Sequence, residues 1–231
     1  LTKPNFKGIQ ADQVATLKQR DRLDQNSGAT LGVMPVVDHD DLFFQDGLKI
    51  YAVNVESGQP LPGWANNPAN HDGRYQVGNS RIPPRSQLLT VTLTDKYLLA
   101  VMGQTDRVAQ IYSGMTTGEG QLVCLDRQTG AKKWTAEART LPDEAGNLKE
   151  AELTGSPLVE GDNVYVVARS SKGAQFEDCY VLCFDLETGK YKWNCYIASA
   201  NSIANAMMMD GDAQPFPDTT AQLAYASGRL Y

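Results

Sequence analysis

CFDLETGKYKW, residues 183–193, has a near-copy in CLDRQTGAKKW, residues 124–134. In both, a small residue, an Asp two places on, a Thr-Gly step and a Trp stand at the same offsets. Aligned on that step, QLVCLDRQTGAKKW (121–134) matches YVLCFDLETGKYKW (180–193). IYAVNVESGQPLPGW (50–64) is a degenerate third copy, with Asn54 for Asp, Ser57 for Thr and two extra residues before Trp64. Upstream of each lies another pair of short apolar runs: GVMPVVDHDDLFFQD (32–46), QLLTVTLTDKYLLAVM (87–102) and GSPLVEGDNVYVVAR (155–169). The stretch AQLAYASGRLY (221–231) begins a fourth copy.

Each unit therefore reads as four short strands, a to d. Strands a and b flank a tight polar turn (DHDD, LTDK, EGDN, ASGR), and strands c and d flank the Thr-Gly turn. Gly serves there because it adopts a positive φ without the steric cost other residues meet. In the third copy Tyr180, Leu182 and Phe184 alternate with Val181 and Cys183, so strand c is apolar on both faces. A sheet wet on one side would alternate apolar with polar, so these sheets are expected to be covered on both. Repeated four-stranded antiparallel sheets stacked face on face make a β-propeller. A β-sandwich would explain the strands but not the repeated motif. The fold expected is all-β: a propeller with blades at about 31–64, 87–136 and 154–197, and the start of another at 221.

The pattern small-x-Asp-x-x-Thr-Gly-x-x-x-Trp resembles the repeat of the pyrroloquinoline-quinone-like (quinoprotein-type) propellers. That family includes quinoprotein alcohol dehydrogenases and the propeller lipoprotein of the bacterial outer-membrane assembly machine. The resemblance implies that the Trp docks against the neighbouring blade while the Asp and Thr fix the turn. Carried onto this chain, it makes Asp126, Thr129, Gly130 and Trp134, with Asp185, Thr188, Gly189 and Trp193, blade-docking residues. Gly58 and Trp64 are their counterparts in the first copy, where Asn54 and Ser57 depart from the pattern. The motif then reads as a construction joint rather than as a catalytic centre.

Thr-Gly motifs recur at steps of 59 (185 − 126) and 72 (126 − 54) residues. Three blades and a fragment do not close a ring of about four to eight, and seven or eight blades of about 60 residues need on the order of 400–500. The chain is therefore expected to be part of a longer polypeptide. Residues 1–30 lie outside the repeat. IQADQVATLKQRDRLDQ (9–25) has helical composition with a thin apolar stripe of Ile9, Val14 and Leu17, and is expected to form a helical extension.

The 231 residues carry 21 basic and 27 acidic side chains, a net charge of −6. Nucleic acid demands a concentrated basic face, which this balance argues against. No run approaches the ~20 apolar residues of a membrane-spanning helix, and no signal peptide or lipidation motif is present. An extracytoplasmic location, periplasmic, envelope-associated or secreted, is implied by the family resemblance.

In an up-down-up-down blade the a–b and c–d turns share one end, and the b–c and d–a connections the other. The long connections, at 103–120, 170–178, 65–86, 137–154 and 197–220, all fall in the second set. Surface connections both tolerate insertion and carry binding sites, so that end is the expected binding face. Tyr75, Tyr112 and Phe216 are the aromatics there that a small-ligand or polysaccharide site would use.

Weaker candidates have simpler readings beside them. His71, next to Asp72, could serve as a ligand or base but reads more simply as a solvated loop His. His39 with Asp38, Asp40 and Asp41 could chelate a cation, though Asp-rich turns are commonly just turns. Asp210, Asp212 and Asp218 could hold calcium but lack the Gly and Glu placement of an EF-hand loop. Met207 to Met209 are consecutive and converge poorly on one copper. Cys124 and Cys183 fill the small position two before the Asp, where the first copy has Ala52, a packing slot. Cys179 and Cys195 are brought opposite one another when strand c folds onto d, and form a candidate cross-strand disulfide that would imply an oxidising compartment.

Two functional classes follow. One is a non-catalytic scaffold that presents its long connections to a partner protein or envelope component. The alternative is part of a quinone-dependent alcohol or sugar dehydrogenase, or a small-ligand or polysaccharide binder. The family's enzymes hold the quinone beneath a disulfide of adjacent cysteines, with calcium on acidic and amide groups. This chain has no adjacent Cys pair, so no cofactor is expected unless blades outside the sequence supply pyrroloquinoline quinone and calcium.

Overall fold

The computed structural model of the protein describes residues 32–70, 73–76, 89–103, 120–142, 147–172, 176–201 and 222–231. The expected N-terminal helical segment, His71, Asp72, Tyr112, Met207 to Met209, Asp210, Asp212, Phe216 and Asp218 lie outside these residues.

Strand β1 (Val33–Met34) leads into a first sheet of β2 (Val36–Asp38), β3 (Asp41–Gln45), β4 (Lys49–Asn54) and β5 (Arg74–Gln76). β6 (Leu89–Thr90) pairs in parallel with β1 and leads into a second sheet, β7 (Thr92–Leu93), β8 (Tyr97–Met102), β9 (Gln121–Asp126) and β10 (Lys132–Glu137). The third sheet is β11 (Ala151–Glu160), β12 (Asn163–Lys172), β13 (Phe176–Asp185) and β14 (Tyr191–Asn201). A last hairpin, β15 (Tyr225–Ala226) and β16 (Arg229–Leu230), stands in the position of strands a and b of a further unit. All pairing within the three four-stranded sheets is antiparallel, in chain order. The chain is thus an all-β, propeller-type stack of four-stranded blades.

Side-chain alternation explains why the blades stack. In β8 all six residues of YLLAVM are buried. Leu98, Ala100 and Met102 project one way and join Val123 and Leu125 of β9 in a core shared with Phe43, Ile50, Ala52 and Trp64 of the first blade. Tyr97, Leu99 and Val101 project the other way, and with Leu122 and Cys124 meet Val164, Val166, Leu182 and Phe184 of the third. A strand with period-2 side chains and no polar face needs a cover on each side. Each blade accordingly has a front face turned to the preceding blade and a back face turned to the following one. At about 25 cal/mol per Å² of buried apolar surface, these two inter-blade cores are the principal source of cohesion.

Two connections differ from the sequence reading. Strand d of the first blade does not run through Trp64. It begins as a bridge between Val53 and Pro60, departs into helix α1 (Pro62–Ala65) that carries Trp64, and resumes as β5, opposite Lys49–Tyr51. Pro62 at the start of the helix fixes a helical φ and has no N–H to contribute to a strand. The expected long connection at 170–178 is instead mostly strand: β12 runs to Lys172 and β13 starts at Phe176, with Lys172 opposite Phe176.

Candidate docking site: the joints between blades

The Thr-Gly turn is built by one carboxylate. Asp126 Oδ1 accepts from the Thr129 amide at 3.0 Å and the Thr129 hydroxyl at 2.9 Å, while the Gly130 amide returns to the Asp126 carbonyl at 2.8 Å. Asp185 repeats this with Thr188 at 3.0 and 2.8 Å and with Gly189 at 2.9 Å. Gly130 and Gly189 take φ of +65° and +68°, a region other L-residues enter at a cost. A lysine seven residues after each Asp closes the turn from strand d: Lys133 Nζ lies 3.3 Å from Asp126, and Lys192 Nζ 3.1 Å from Asp185. The Thr188 hydroxyl and amide, aided by Lys192, hold the Asp185 carboxyl down to about 2. Burial works to raise Asp126, but the Thr129 bonds and Lys133 outweigh it and its carboxyl is also lowered.

The first copy makes the same turn without a charge. Asn54 Oδ1 accepts from the Ser57 amide and hydroxyl, each at 3.0 Å, and the Gly58 amide meets the Asn54 carbonyl at 2.8 Å. An amide oxygen and a hydroxyl supply the same acceptor and donor, so the substitutions Asn54 and Ser57 leave the geometry intact.

Onto the turns of the second and third blades comes an indole from the blade before it. Trp64 Nε1 donates to the Arg127 carbonyl at 2.9 Å, and its ring lies against Gly130, where a Cβ would stand 2.6 Å from the ring. Trp134 Nε1 donates to the Leu186 carbonyl at 2.9 Å and lies against Gly189, where a Cβ would meet the ring at 2.5 Å. The glycine therefore has two duties, the positive φ and the clearance for the ring. Trp64 is wholly buried and Trp134 partly so; Trp193, at the same position in the third blade, is 41% exposed. Its nearest aromatic neighbour is Tyr165, 5.9 Å between ring centroids.

Several residues that the sequence reading did not single out complete the seam. Arg127 of the second blade forms an ion pair with Asp38 of the first, donates to the Thr94 carbonyl at 3.1 Å, and lies 5.5 Å above the Phe43 ring. Asn67 and Asn70, in the excursion after α1, both donate to the Thr129 carbonyl, at 2.9 and 3.4 Å. Gly63 lets the helix approach the Gln128 carbonyl, which a Cβ would meet at 2.2 Å. Tyr97 donates to Glu187 of the third blade at 2.6 Å, a bond that pushes its hydroxyl up to about 12. The Lys before the Trp in both good copies was the one readable signal. Arg127, Asn67 and Asn70 belong to no repeat, because Leu186 and Val55 stand where Arg127 does.

The remaining candidates fall elsewhere. Cys179 and Cys195 are free thiols, and the expected disulfide is corrected by the register. A bulge between Cys179 and Tyr180 sets Cys179 opposite Ala198, while Cys195 faces Val181. Ala52, Cys124 and Cys183 share one buried position, and burial pushes the Cys124 thiol up to about 12. Asp38 is occupied by Arg127 and by His39 Nδ1 at 2.9 Å rather than by a cation set. Tyr75 is no free loop aromatic: it sits in β5 and packs against the first inter-blade core. Among the described residues no three His, Cys, Asp or Glu side chains converge as a metal set.

Four-stranded blades joined through a Trp-to-turn contact define a quinoprotein-type propeller. Residues 85–212 match the family described as outer membrane protein assembly factor BamB, more than half of the 231-residue chain, and the chain belongs to that family. Over 88 residues it is 31% identical to the quinohemoprotein alcohol dehydrogenase ADH-IIG of Pseudomonas putida, a span of 38% of this chain and 11% of that protein. The chain therefore matches only a small part of the length of that curated relative. Among solved structures, a europium-containing methanol dehydrogenase aligns with a TM-score of 0.44 at 15% identity, over 85% of this chain and 29% of that one. BamB from Moraxella catarrhalis aligns with a TM-score of 0.33 at 13% identity, over 85% of this chain and 65% of that one.

Proposed function

We propose that the protein is a non-catalytic propeller scaffold outside the cytoplasm, which holds a partner protein at the end of the blades where the long connections gather. The observation that supports this most is where chain length has been added. Strands alternate in direction, so the joins from β8 to β9 (103–120), β10 to β11 (138–150) and β14 to β15 (202–224) begin and finish at one end. The other end carries the tight turns 39–40, 94–96, 127–131, 161–162, 186–190 and 227–228. Added length on one end of a rigid frame is how propellers and barrels carry recognition sites. Membership in a family described as an outer-membrane protein assembly factor supports a protein partner and an envelope location. Among the described residues no helix is long and apolar enough to cross a membrane.

The test is site-specific photo-crosslinking in the cells that make the protein. Crosslinkers at Tyr112 and Phe216, in the connections, should capture one discrete protein, and crosslinkers at Asp40 and Ser227, in the tight turns, should not. Capture from the turns alone, or from neither end, would refute the reading. The likeness to an alcohol dehydrogenase favours a second reading, quinone-dependent oxidation. Added pyrroloquinoline quinone and calcium should leave the protein unable to reduce a dye with alcohol.

A further inference from the structure

The seam between the first and second blades and the seam between the second and third share a plan, yet one position fills them differently. Asp41 and Tyr97 hold the same place, each opening strand b opposite the first residue of its own blade's turn, Asn54 and Asp126. In the turn across the seam, Gln128 of the second blade is the counterpart of Glu187 of the third, each two places after the turn's Asp. Tyr97 is buried in the second inter-blade core and closes its seam with the 2.6 Å bond to Glu187. Asp41 is only half-buried, and its carboxylate sits on a single methylene where Tyr97 has a whole phenol. The first seam holds instead a cleft of about 320 Å³, whose walls include Asp41, Leu61, Pro62, Asp95, Arg127 and Gln128. That is the small end of the range for ligand pockets, roughly 300–1,000 Å³. Both walls come from adjoining blades of this chain.

The charge in the cleft selects what it can hold. The Arg127 guanidinium is matched by Asp38 and already lies over the Phe43 ring. Among the described residues neither Asp41 nor Asp95 has an ion-pair partner. Asp38, Asp41 and Asp95 with Arg127 therefore sum to 1 − 3 = −2. An anion meets that excess unfavourably, and a cation is drawn to it more strongly than in bulk water because the site is partly walled off from solvent. Leu61 and Pro62 offer an apolar wall beside the carboxylates. We propose that this cleft binds a small organic cation with a flat apolar body, an amidine, guanidine or aromatic amine. Its charged end faces Asp41 and Asp95, and its body lies along Leu61 and Pro62. The inference stands apart from the loop-face reading: it lies at the tight-turn end, and its ligand is a small molecule rather than a protein.

The experiment is isothermal titration calorimetry on the full chain with benzamidinium, benzamide and benzoate, three probes of one shape that differ in charge. Benzamidinium should bind at least about tenfold more tightly than benzamide, a difference of about 1.4 kcal/mol, and benzoate should give no binding heat. Added salt should weaken benzamidinium binding, since the attraction is between charges in contact with solvent. Asp41→Asn keeps the side chain's shape and removes its charge, and should weaken benzamidinium by roughly fivefold, about 1 kcal/mol. Asp41→Tyr/Gln128→Glu copies the Tyr97–Glu187 closure into the first seam and should abolish binding, with circular dichroism checking that the fold is kept. Where that double substitution disturbs the fold, Asp41→Asn decides alone. No benzamidinium heat at millimolar concentration, equal affinity for benzamide, undiminished binding by Asp41→Asn, or binding that survives in a folded double variant would each overturn the proposal.

Discussion

Alanine at Gly130 and alanine at Gly58 differ in one physical respect, and that difference measures the joint. Both glycines have φ of +65°, so each substitution carries the cost of a left-handed non-glycine residue, about 1–2 kcal/mol. At Gly58 that is the whole effect, since a Cβ there meets nothing within 4 Å. At Gly130 the Cβ would stand 2.6 Å from Trp64 and 2.7 Å from Asn70 Nδ2. The wholly buried Trp64 cannot move aside without losing its bond to the Arg127 carbonyl. Overpacking of that kind adds about 1–3 kcal/mol. Gly130→Ala should therefore destabilise by roughly 2–5 kcal/mol and Gly58→Ala by about 1–2. Urea unfolding followed by tryptophan fluorescence measures both. The midpoints should separate while the slope stays constant. At about 2–4 °C per kcal/mol for a domain of this size, the thermal midpoints should differ by roughly 2–12 °C. Equal losses from the two substitutions would refute the second duty assigned to Gly130.

Other outcomes follow from the same geometry. Trp64→Ala should cost about 3–5 kcal/mol, as large core truncations do, and Trp193→Ala, on an exposed side chain, less than about 1; chemical denaturation of the two variants decides. Arg127→Met removes the ion pair to Asp38 and the bond to the Thr94 carbonyl, and should cost about 1–2 kcal/mol. The variant should also lose part of the unsubstituted chain's sensitivity to salt, checked by unfolding at two ionic strengths. The Asp185 carboxyl is held at about 2 in the fold, below its unfolded value of about 3.9. Its stabilisation is therefore fully present above about pH 4 and is lost as pH falls toward 2. Asp185→Asn, which copies the turn of the first blade, should keep the fold and flatten that acid loss, read from thermal midpoints between pH 2 and 5.

What was legible in the sequence was the chemistry that acts over a few residues. The turns at 126–130 and 185–189 were readable from their glycines and, through the family resemblance, from the Asp and Thr that fix them. The apolar-on-both-faces pattern of Tyr180–Phe184 likewise announced sheets covered on both sides. What escaped depends on distant partners. Nothing local distinguishes Arg127 from Leu186, because its ion pair is with Asp38, 89 positions earlier. The excursion that places Trp64 on a helix reads in sequence only as two extra residues, yet it sends Asn67 and Asn70 across to the Thr129 carbonyl. Departures at Asn54 and Ser57 looked like a weakened copy, but their oxygen and hydroxyl rebuild the turn. The expected pairing of Cys179 with Cys195 gives way to a register with two bulges that sets Cys179 opposite Ala198 and Cys195 opposite Val181, with no local sequence marker. The candidate site was thus half visible: its turns and indoles were, its cross-blade fastenings were not.

The central claim is that the first blade is fastened to the second, and the second to the third, by an indole donated into a Thr-Gly type turn. Hydrogen exchange at the three indole N–H groups, resolved by NMR, tests it most directly. The geometry predicts two protected indoles, Trp64 and Trp134, bonded to the Arg127 and Leu186 carbonyls at 2.9 Å, and one that exchanges freely, Trp193. Free exchange at Trp64 or Trp134, or protection at Trp193 alone, would contradict it.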